Sequence, residues 1–400
     1  MRILIHDYAG HPFQVQLSRK LAERGYEILH IYSLSVLTPR GRLKKIKNDP
    51  KNLNIKGIAL SKVIAKYSYL KRYFQEKKYA KLLIKEIKKF DPDIIISSNT
   101  PIVIQEVLLN FSKKSNIKFI FWLQDIYGIG IEKVLTKKIP LFGKVMAKYF
   151  INLERNLLEN SDKIILITED FQSILKSWGV NTDKCIVIHN WAPLEEIPVY
   201  LKDNPWARDH YLHDKFCFMY SGTLGIKHNP ELLLKLAEAF KENKRIKVVV
   251  ISEGLGAEWL KEKKKEKSLD NLFIMKFQPF EVLPQVLASA DVLVAILEAD
   301  AGIFSVPSKV LTYHCVGRPL LLAVPQENLA AKIIRKYNTG ITVDPRDIHA
   351  FVNAARRLLE NKTLRSKLGI NARKYAEEHF NIEKITDKFE WIIKDVLKTS

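Results

Sequence analysis

The sequence predicts an α/β protein made of two doubly wound domains, each built around a parallel sheet. Three observations carry that reading. Apolar runs of strand length alternate with helical periodicity on both sides of residues 193–212, which is the signature of successive βαβ units. That middle segment holds Pro193, Pro198 and Pro205 with little periodicity, so it is the linker expected between the domains. Small residues follow the apolar runs, at the carboxyl ends of strands where ligands of open α/β sheets are bound.

The first half opens with a strand over 2–6 and a helix over 13–24 spaced by Phe13, Leu17 and Leu21. Gly25 ends that helix, and a second strand covers 28–32. The loop 7–12 (DYAGHP) lies at the end of the first strand and lacks GxGxxG, so it is not a dinucleotide fingerprint. A helix is expected over 77–90, with Tyr79, Leu82, Leu83, Ile87 and Phe90 on one side. Buried strands follow over 93–97 and 119–123, the second delivering Gln124, Asp125, Ile126 and Tyr127 into a loop. An amphipathic helix over 141–158 and strands over 163–167 and 185–188 complete this half, which empties into His189-Asn190-Trp191-Ala192-Pro193.

In the second half, strands are expected over 216–220, 246–251, 272–277, 291–297 and 319–324, each followed by helical pattern, with a helical tail over 346–398. The stretch 300–321 reads as loop, helix and strand. Ser305 is the expected N-cap, Pro307 suits the first turn, and Gly317 and Pro319 end the helix. The N–H groups of Ser308 and Lys309, the Lys309 ammonium and the helix dipole would favour a diphosphate. In one parallel sheet the loops 221–227, 252–256 and 302–309 converge. Gly222 lets backbone approach a ligand, and Lys227 and Lys309 can neutralise its charge.

With 400 residues and 47% hydrophobic content, two real cores can form. Cys185, Cys217 and Cys315 are far apart in apolar surroundings and read as reduced thiols. No HExxH or comparable spacing points to a metal. No apolar run reaches the length of a bilayer span, and Met-Arg followed by a strand is not a secretory signal, so a soluble or peripheral protein is expected. The net charge is +21, and residues 40–89 hold 17 Lys/Arg against Asp49, Glu76 and Glu86. Two thirds of the excess therefore sits in one eighth of the chain. Interleaved with Tyr67, Tyr69, Leu70, Tyr73, Phe74 and Tyr79, it is the expected anionic-membrane surface, with Lys71, Arg72, Lys77 and Lys78 as its lipid contacts.

The Gly222…Lys227 loop, Ser252-Glu-Gly254 and PSKVLTY…GRP resemble the retaining GT-B glycosyltransferases of family four. The blocks 10–27 (GHPFQVQLSRKLAERGYE), 189–193 (HNWAP) and 301–319 (AGIFSVPSKVLTYHCVGRP) resemble its colanic-acid and O-antigen sugar transferases, N-acetylfucosaminyl transferases among them. The resemblance implies a GT-B fold with two Rossmann-like domains facing across a cleft. Residues 1–195 would bind the acceptor, joined by a C-terminal helix over 381–400 that crosses back, and 196–380 would bind a UDP-sugar. Lys227 falls on the lysine that contacts the donor diphosphate. The neighbouring family arginine falls at Thr223, leaving its contact to another group such as Lys309. Of two family glutamates eight apart, the second falls at Thr312 and the first has no counterpart near Phe304, which makes Glu298 the candidate replacement. The family histidine beside an aspartate falls at Gln124-Asp125, and a glutamine there is compatible with the methyl of a 6-deoxy sugar.

By the same resemblance Phe277 and Gln278 hold the base. Gly222, Thr223, Glu253, Gly254, Ser305, Ser308, Lys309 and Thr312 complete the donor side, and Gly10, His11, Gln14, Gln124 and Asn190 form the acceptor side. The catalytic candidates are Asp125, Lys227 and Glu298. The implied reaction displaces UDP with retention, using neither metal nor cofactor. Its acceptor is a lipid-linked or other saccharide of cell-surface polysaccharide synthesis, at the inner face of the cell membrane. A UDP-sugar 2-epimerase shares the two-domain plan. A nucleic-acid-binding protein is the reading suggested by a pI near 9.6, against which no RRM, zinc-finger or helix-turn-helix signature is present.

Overall fold

The computed structural model describes residues 1–36, 38, 40–64, 68–225, 228–302 and 304–398, and of 69, 70, 138 and 140–142 the backbone alone. The chain divides into two compact units, Met1–His189 with Ile382–Ser400, and Asn190–Asn381.

The first unit is built on β1 (Arg2–Asp7), β2 (Glu27–Ser33), β3 (Leu53–Ile58), β4 (Ile94–Ser98), β5 (Lys118–Leu123), β6 (Lys163–Leu166) and β7 (Cys185–Val187). They form an all-parallel sheet in the order β3-β2-β1-β4-β5-β6-β7. Strands covered by helices on both faces carry unbroken apolar runs, as in β4 and β5, where IIISS and FIFWL are buried throughout. β3 lies at the edge, and LNIKGI exposes its middle residues, so it gives none of the apolar continuity by which the other strands announce themselves.

The connecting helices are α1 (Pro12–Glu23), α2 (Tyr69–Phe90), α3 (Ile102–Lys114), α4 (Tyr127–Lys138), α5 (Pro140–Asn160) and α6 (Asp170–Ser177). Two of them correct the sequence reading. Residues 127–138 form a helix that opens at Tyr127, a residue expected in a loop. The helix expected from residue 77 begins at Tyr69, because 69–76 contain no glycine or proline to stop it. That added turn matters for the basic segment. Arg72 does not point freely outward; its Nε bonds Glu76 Oε1 at 2.6 Å, and Glu76 is buried. Tyr79, expected at the surface, is fully buried with its hydroxyl 3.1 Å from His6 Nε2.

The second unit holds β8 (Phe216–Ser221), β9 (Ile246–Ile251), β10 (Leu272–Met275), β11 (Val292–Ile296), β12 (Leu320–Ala323) and β13 (Gly340–Val343), all parallel in the order β10-β9-β8-β11-β12-β13. Its helices are α7 (Pro205–Asp209), α8 (Glu231–Ala239), α9 (Leu255–Glu266), α10 (Leu283–Ala288), α11 (Lys309–Cys315), α12 (Leu329–Tyr337), α13 (Ile348–Glu360) and α14 (Lys362–His379). Residues 193–212 are not a linker but part of this unit. Ile197, Asn204, Trp206, Ala207 and Leu212 are buried, Asn204 Oδ1 caps α7 through Ala207 N at 3.0 Å, and Pro205 occupies the first turn. Three arginines bind carbonyls at helix carboxyl ends, where the dipole favours cations. Arg318 serves Ala288 of α10, Arg373 serves Cys315 of α11, and Arg365 serves Leu358 and Leu359 of α13.

The last helix, α15 (Ile382–Lys398), belongs to the first unit and packs on α1. Phe389 meets Trp122 edge-on with centroids 4.9 Å apart, and Ile392, Ile393 and Val396 are buried beside it. Trp391 on the same helix is 59% exposed. Arg24 on the facing side bonds Glu383, Asp387 and Glu390 at 2.7, 2.7 and 2.6 Å.

Candidate functional site

In the second unit the strand order reverses between β8 and β11, and the residues at the carboxyl ends there form a small polar constellation. Gly222 follows β8 with φ +146°, a conformation an L side chain rarely adopts. A Cβ at that position would sit 2.5 Å from Lys309 Cε, so the lysine stem lies directly over the bare backbone. The Lys309 ammonium donates to Tyr220 Oη at 2.8 Å and lies 4.5 Å from that ring's centroid. Tyr220 Oη in turn donates to Thr223 O, and Tyr313 Oη binds both backbone groups of Ser221. On the β9 side Ser252 Oγ accepts from Leu224 N at 3.0 Å. Gly254, φ +113°, is the N-cap of α9, a 12-residue helix whose amino end meets the loop after β8, where Gly256 N donates to Leu224 O at 3.3 Å. A cation, two glycine backbones and a helix amino end in one place suit a phosphate-bearing ligand.

The other expected donor residues divide. Lys227 lies outside the described residues. Ser305 is buried but is not the N-cap of α11, which starts at Lys309 with Ser308 as an N-cap that makes no side-chain bond. Asn328 Nδ2 holds the loop instead, by Gly302 O at 3.1 Å and Ser305 O at 2.9 Å. Pro307, two residues after Ser305, accepts from Val310 N at 3.2 Å as α11 begins. Thr312 Oγ1 donates back to Lys309 O, so its hydroxyl proton is committed to its own helix. Glu253 and Glu298 are half-buried on the loops after β9 and β11. Phe277 and Gln278 follow β10, the edge strand two places from β8. The Gln278 amide accepts from Trp206 Nε1 and donates to Lys276 O, which makes it a brace for its loop.

The first unit has its own reversal between β1 and β4, and here the structure brings the expected Gly10, His11 and Gln14 together with Asp7, Ser98 and Asn99, which the sequence reading did not name as site residues. Asp7 is fully buried at the end of β1, accepting from Ala9 N at 3.2 Å and from His11 N. Gln14 donates to both its oxygens at 3.0 and 3.1 Å, and its own carbonyl accepts from Asn99 Nδ2 and Ser98 Oγ. Gly10, φ +78°, makes the turn inside this network. Burial pushes the Asp7 carboxyl up to about 7, although the surrounding N–H donors pull the other way. His11 stacks on Phe13, and burial holds its imidazole down at about 4 despite the nearby Asp125 carboxylate, so it is a neutral ring at pH 7.

Gln124 is buried at the end of β5, with Asp125 half-buried beside it. Glu154 of α5 reaches under this loop and accepts from Tyr127 N at 3.0 Å and Gly128 N at 2.6 Å, filling the amino end of α4. Burial raises it to about 8. Asn190 is the first residue of the second unit. Asp7 and Asn99 had a faint sequence signal, since a polar residue directly after a buried strand marks the ligand edge; Glu154, mid-helix, had none.

These carboxyls set a pH dependence. A group whose folded pKa lies above its unfolded one binds extra protons when folded, so its stabilisation is lost as pH rises through the folded value. Asp7 and Glu154 therefore weaken the fold up to about pH 8. Buried His6, His30 and His314 and half-buried His11, held near 3 to 4, act oppositely, but only below the ordinary histidine value of 6.5. Between pH 6.5 and 8.5 the melting temperature is expected to fall, and Glu154→Gln should flatten that slope. A Glu154→Gln protein with the wild-type slope would remove this carboxyl from the account.

Comparison with known proteins gives two family matches, "Glycosyl transferases group 1" over residues 205–375 and "Glycosyltransferase Family 4" over residues 13–196. A probable glycosyltransferase, WbjE of Pseudomonas aeruginosa, is 20% identical over 310 residues, covering 77% of this chain and 76% of that protein. Among solved structures, Anabaena HepE in complex with UDP-glucose superposes with a TM-score of 0.71 at 12% identity, over 99% of this chain and 100% of that one. WaaG, a glycosyltransferase involved in lipopolysaccharide biosynthesis, does so with a TM-score of 0.69 at 14% identity, over 96% and 98%. One family match thus covers most of each parallel-sheet unit, and the fold is that of structures whose chains align end to end. The chain is a glycosyltransferase of the GT-B fold.

Proposed function

We propose that this enzyme transfers a sugar from a UDP-sugar, with retention, to a lipid-linked or other saccharide acceptor of cell-surface polysaccharide synthesis. The second unit takes the donor and the first unit the acceptor, at the inner face of the cell membrane. The observation that carries the donor assignment is the meeting of Gly222, Lys309 and the α9 amino end at the β8/β11 reversal. The leaving UDP concentrates negative charge on its diphosphate, and preorganised N–H groups with a fixed cation stabilise charge that develops in the transition state. Lys227 adds a second cation by resemblance. UDP-glucose in HepE supports a uridine donor, and the role of WaaG supports a cell-surface product.

On the acceptor side, Asp125 is the orienting carboxylate, and a glutamine at 124, where the family carries a histidine, is compatible with an N-acetylated 6-deoxyhexose. Because protein cations and backbone N–H groups carry the diphosphate charge, turnover is expected to persist in EDTA. The test is a thermal-shift screen across nucleotide sugars, followed by mass spectrometry of products with a lipid-diphosphate acceptor. UDP and one UDP-sugar should raise the melting temperature through preferential binding to the folded state. No shift with any uridine nucleotide sinks the donor assignment, and a strict requirement for a divalent cation sinks the metal-free chemistry.

A further inference from the structure

We infer that the first unit docks on an anionic phospholipid bilayer through the rim of its α2–α3–α5 layer, at the carboxyl edge of its sheet. The inference rests on the reading of that edge as the acceptor side. α2 packs on α3 and α3 on α5, so the three share one face of the sheet. In an all-parallel sheet, helices that return the chain to the next strand begin at the carboxyl edge. α2 leads into β4 from that edge; α5 follows α4 and returns to the edge at Glu154, which meets the amino end of α4, so its first turns lie beyond the edge.

Near those two starts the surface is apolar where a solvated helix would be polar. Phe74 and Val145 are each 68% exposed, Tyr149 56% and Tyr73 42%. Beside them Lys71, Lys78, Lys144 and Lys148 are exposed, and none of the four is in an ion pair among the described residues. The carboxylates of α2 are turned elsewhere. Glu76 is buried on Arg72, and Glu86 bridges to Lys56 and Lys89 near the far end. Large apolar tips set among unpaired ammonium groups match an interface whose outer layer is anionic and whose inner layer is hydrocarbon.

Docking by the rim would hold the carboxyl-edge network of Asp7, Gln14 and Asn99 close to the headgroups, within reach of a saccharide whose lipid stays in the bilayer. The experiment is co-sedimentation of the full chain with phosphatidylcholine vesicles, with and without phosphatidylglycerol, at low and high salt. Binding should require the anionic lipid and fall with salt. Each lysine near the surface contributes roughly a fivefold factor in partitioning, so Glu at positions 71, 78, 144 and 148 together should lower it more than a hundredfold. The same reversal at Lys261, Lys263, Lys264 and Lys265 of α9 should leave it nearly unchanged; equal loss there means unspecific attraction and overturns the inference. Phe74→Ser with Tyr149→Ser should weaken vesicle binding but not binding to poly-dT. If both fall together, or poly-dT outcompetes vesicles, the surface is a nucleic-acid site and the inference is wrong. UDP-induced thermal shift in every variant reports the donor unit separately, so loss of vesicle binding and loss of the donor reading are distinguishable.

Discussion

Deleting residues 382–400 is expected to unfold the first unit at room temperature while the second unit stays folded. α15 buries Ile385, Phe389, Ile392, Ile393 and Val396 against the first unit. At roughly 1.5–3 kcal/mol for each large apolar side chain withdrawn from water, their sum is comparable to the ~5–15 kcal/mol that stabilises a whole domain. The helix also leaves its imprint on the partner surface. Trp122, fully buried, touches Phe389 on one side and Phe13 on the other, and would be opened to solvent. The salt bridges from Arg24 add little, since exposed pairs contribute about 0–1 kcal/mol each. A milder version is Phe389→Ala, expected to cost about 3–5 kcal/mol through the lost burial and the cavity left beside Trp122. Urea denaturation followed by tryptophan fluorescence reads both. A truncated protein with one unshifted transition would mean that α15 is a detachable appendage.

The second large effect is at Lys309. Lys309→Ala is expected to lower kcat/KM by about two to three orders of magnitude, the range seen when one preorganised stabiliser of developing charge is removed. A charge-assisted bond to phosphate also contributes about 1.5–3 kcal/mol to binding, so UDP affinity should fall as well. The geometry explains why no neighbour substitutes. The ammonium is aimed by Tyr220 Oη and its stem fills the space above Gly222, so removing it leaves a gap over bare backbone. Tyr220→Phe keeps the ring under the cation but loses the aiming bond, and should cost markedly less. Stability should change little, since the lost hydrogen bond is worth about 0.5–1.5 kcal/mol net. Wild-type turnover in a folded Lys309→Ala protein would place the diphosphate elsewhere.

What the sequence could and could not reveal follows from the range of each interaction. The central strands were legible because burial on both faces writes itself as an apolar run, as in Ile94–Ser98. β3 was not, because an edge strand alternates. Gly222, Gly254 and Lys309 were legible because glycines after strands and a lysine opening a helix are local signals. The start of α11 was misplaced by three residues, its N-cap being Ser308 and not Ser305: Ser305 has the chemistry of an N-cap, but Asn328 ties its carbonyl into a loop 23 positions away in sequence. The network of Asp7, Gln14, Ser98 and Asn99 joins positions more than 80 apart, which no periodicity records. Glu154 sits mid-helix like any solvent-facing glutamate until α4 is placed above it.

The return of α15 to the first unit has a consequence for biosynthesis. Residues 190–381 form a contiguous unit that can close as soon as its own chain has left the ribosome. The first unit emerges earlier, yet its surface around Trp122 and α1 stays open until the final 19 residues appear. At about 5–20 residues per second, synthesis of the intervening segment takes on the order of 10–40 s. Throughout that interval the nascent first unit displays an aromatic groove shaped for a helix that does not yet exist. A chaperone that shields this groove would act on the part of the enzyme made first and finished last.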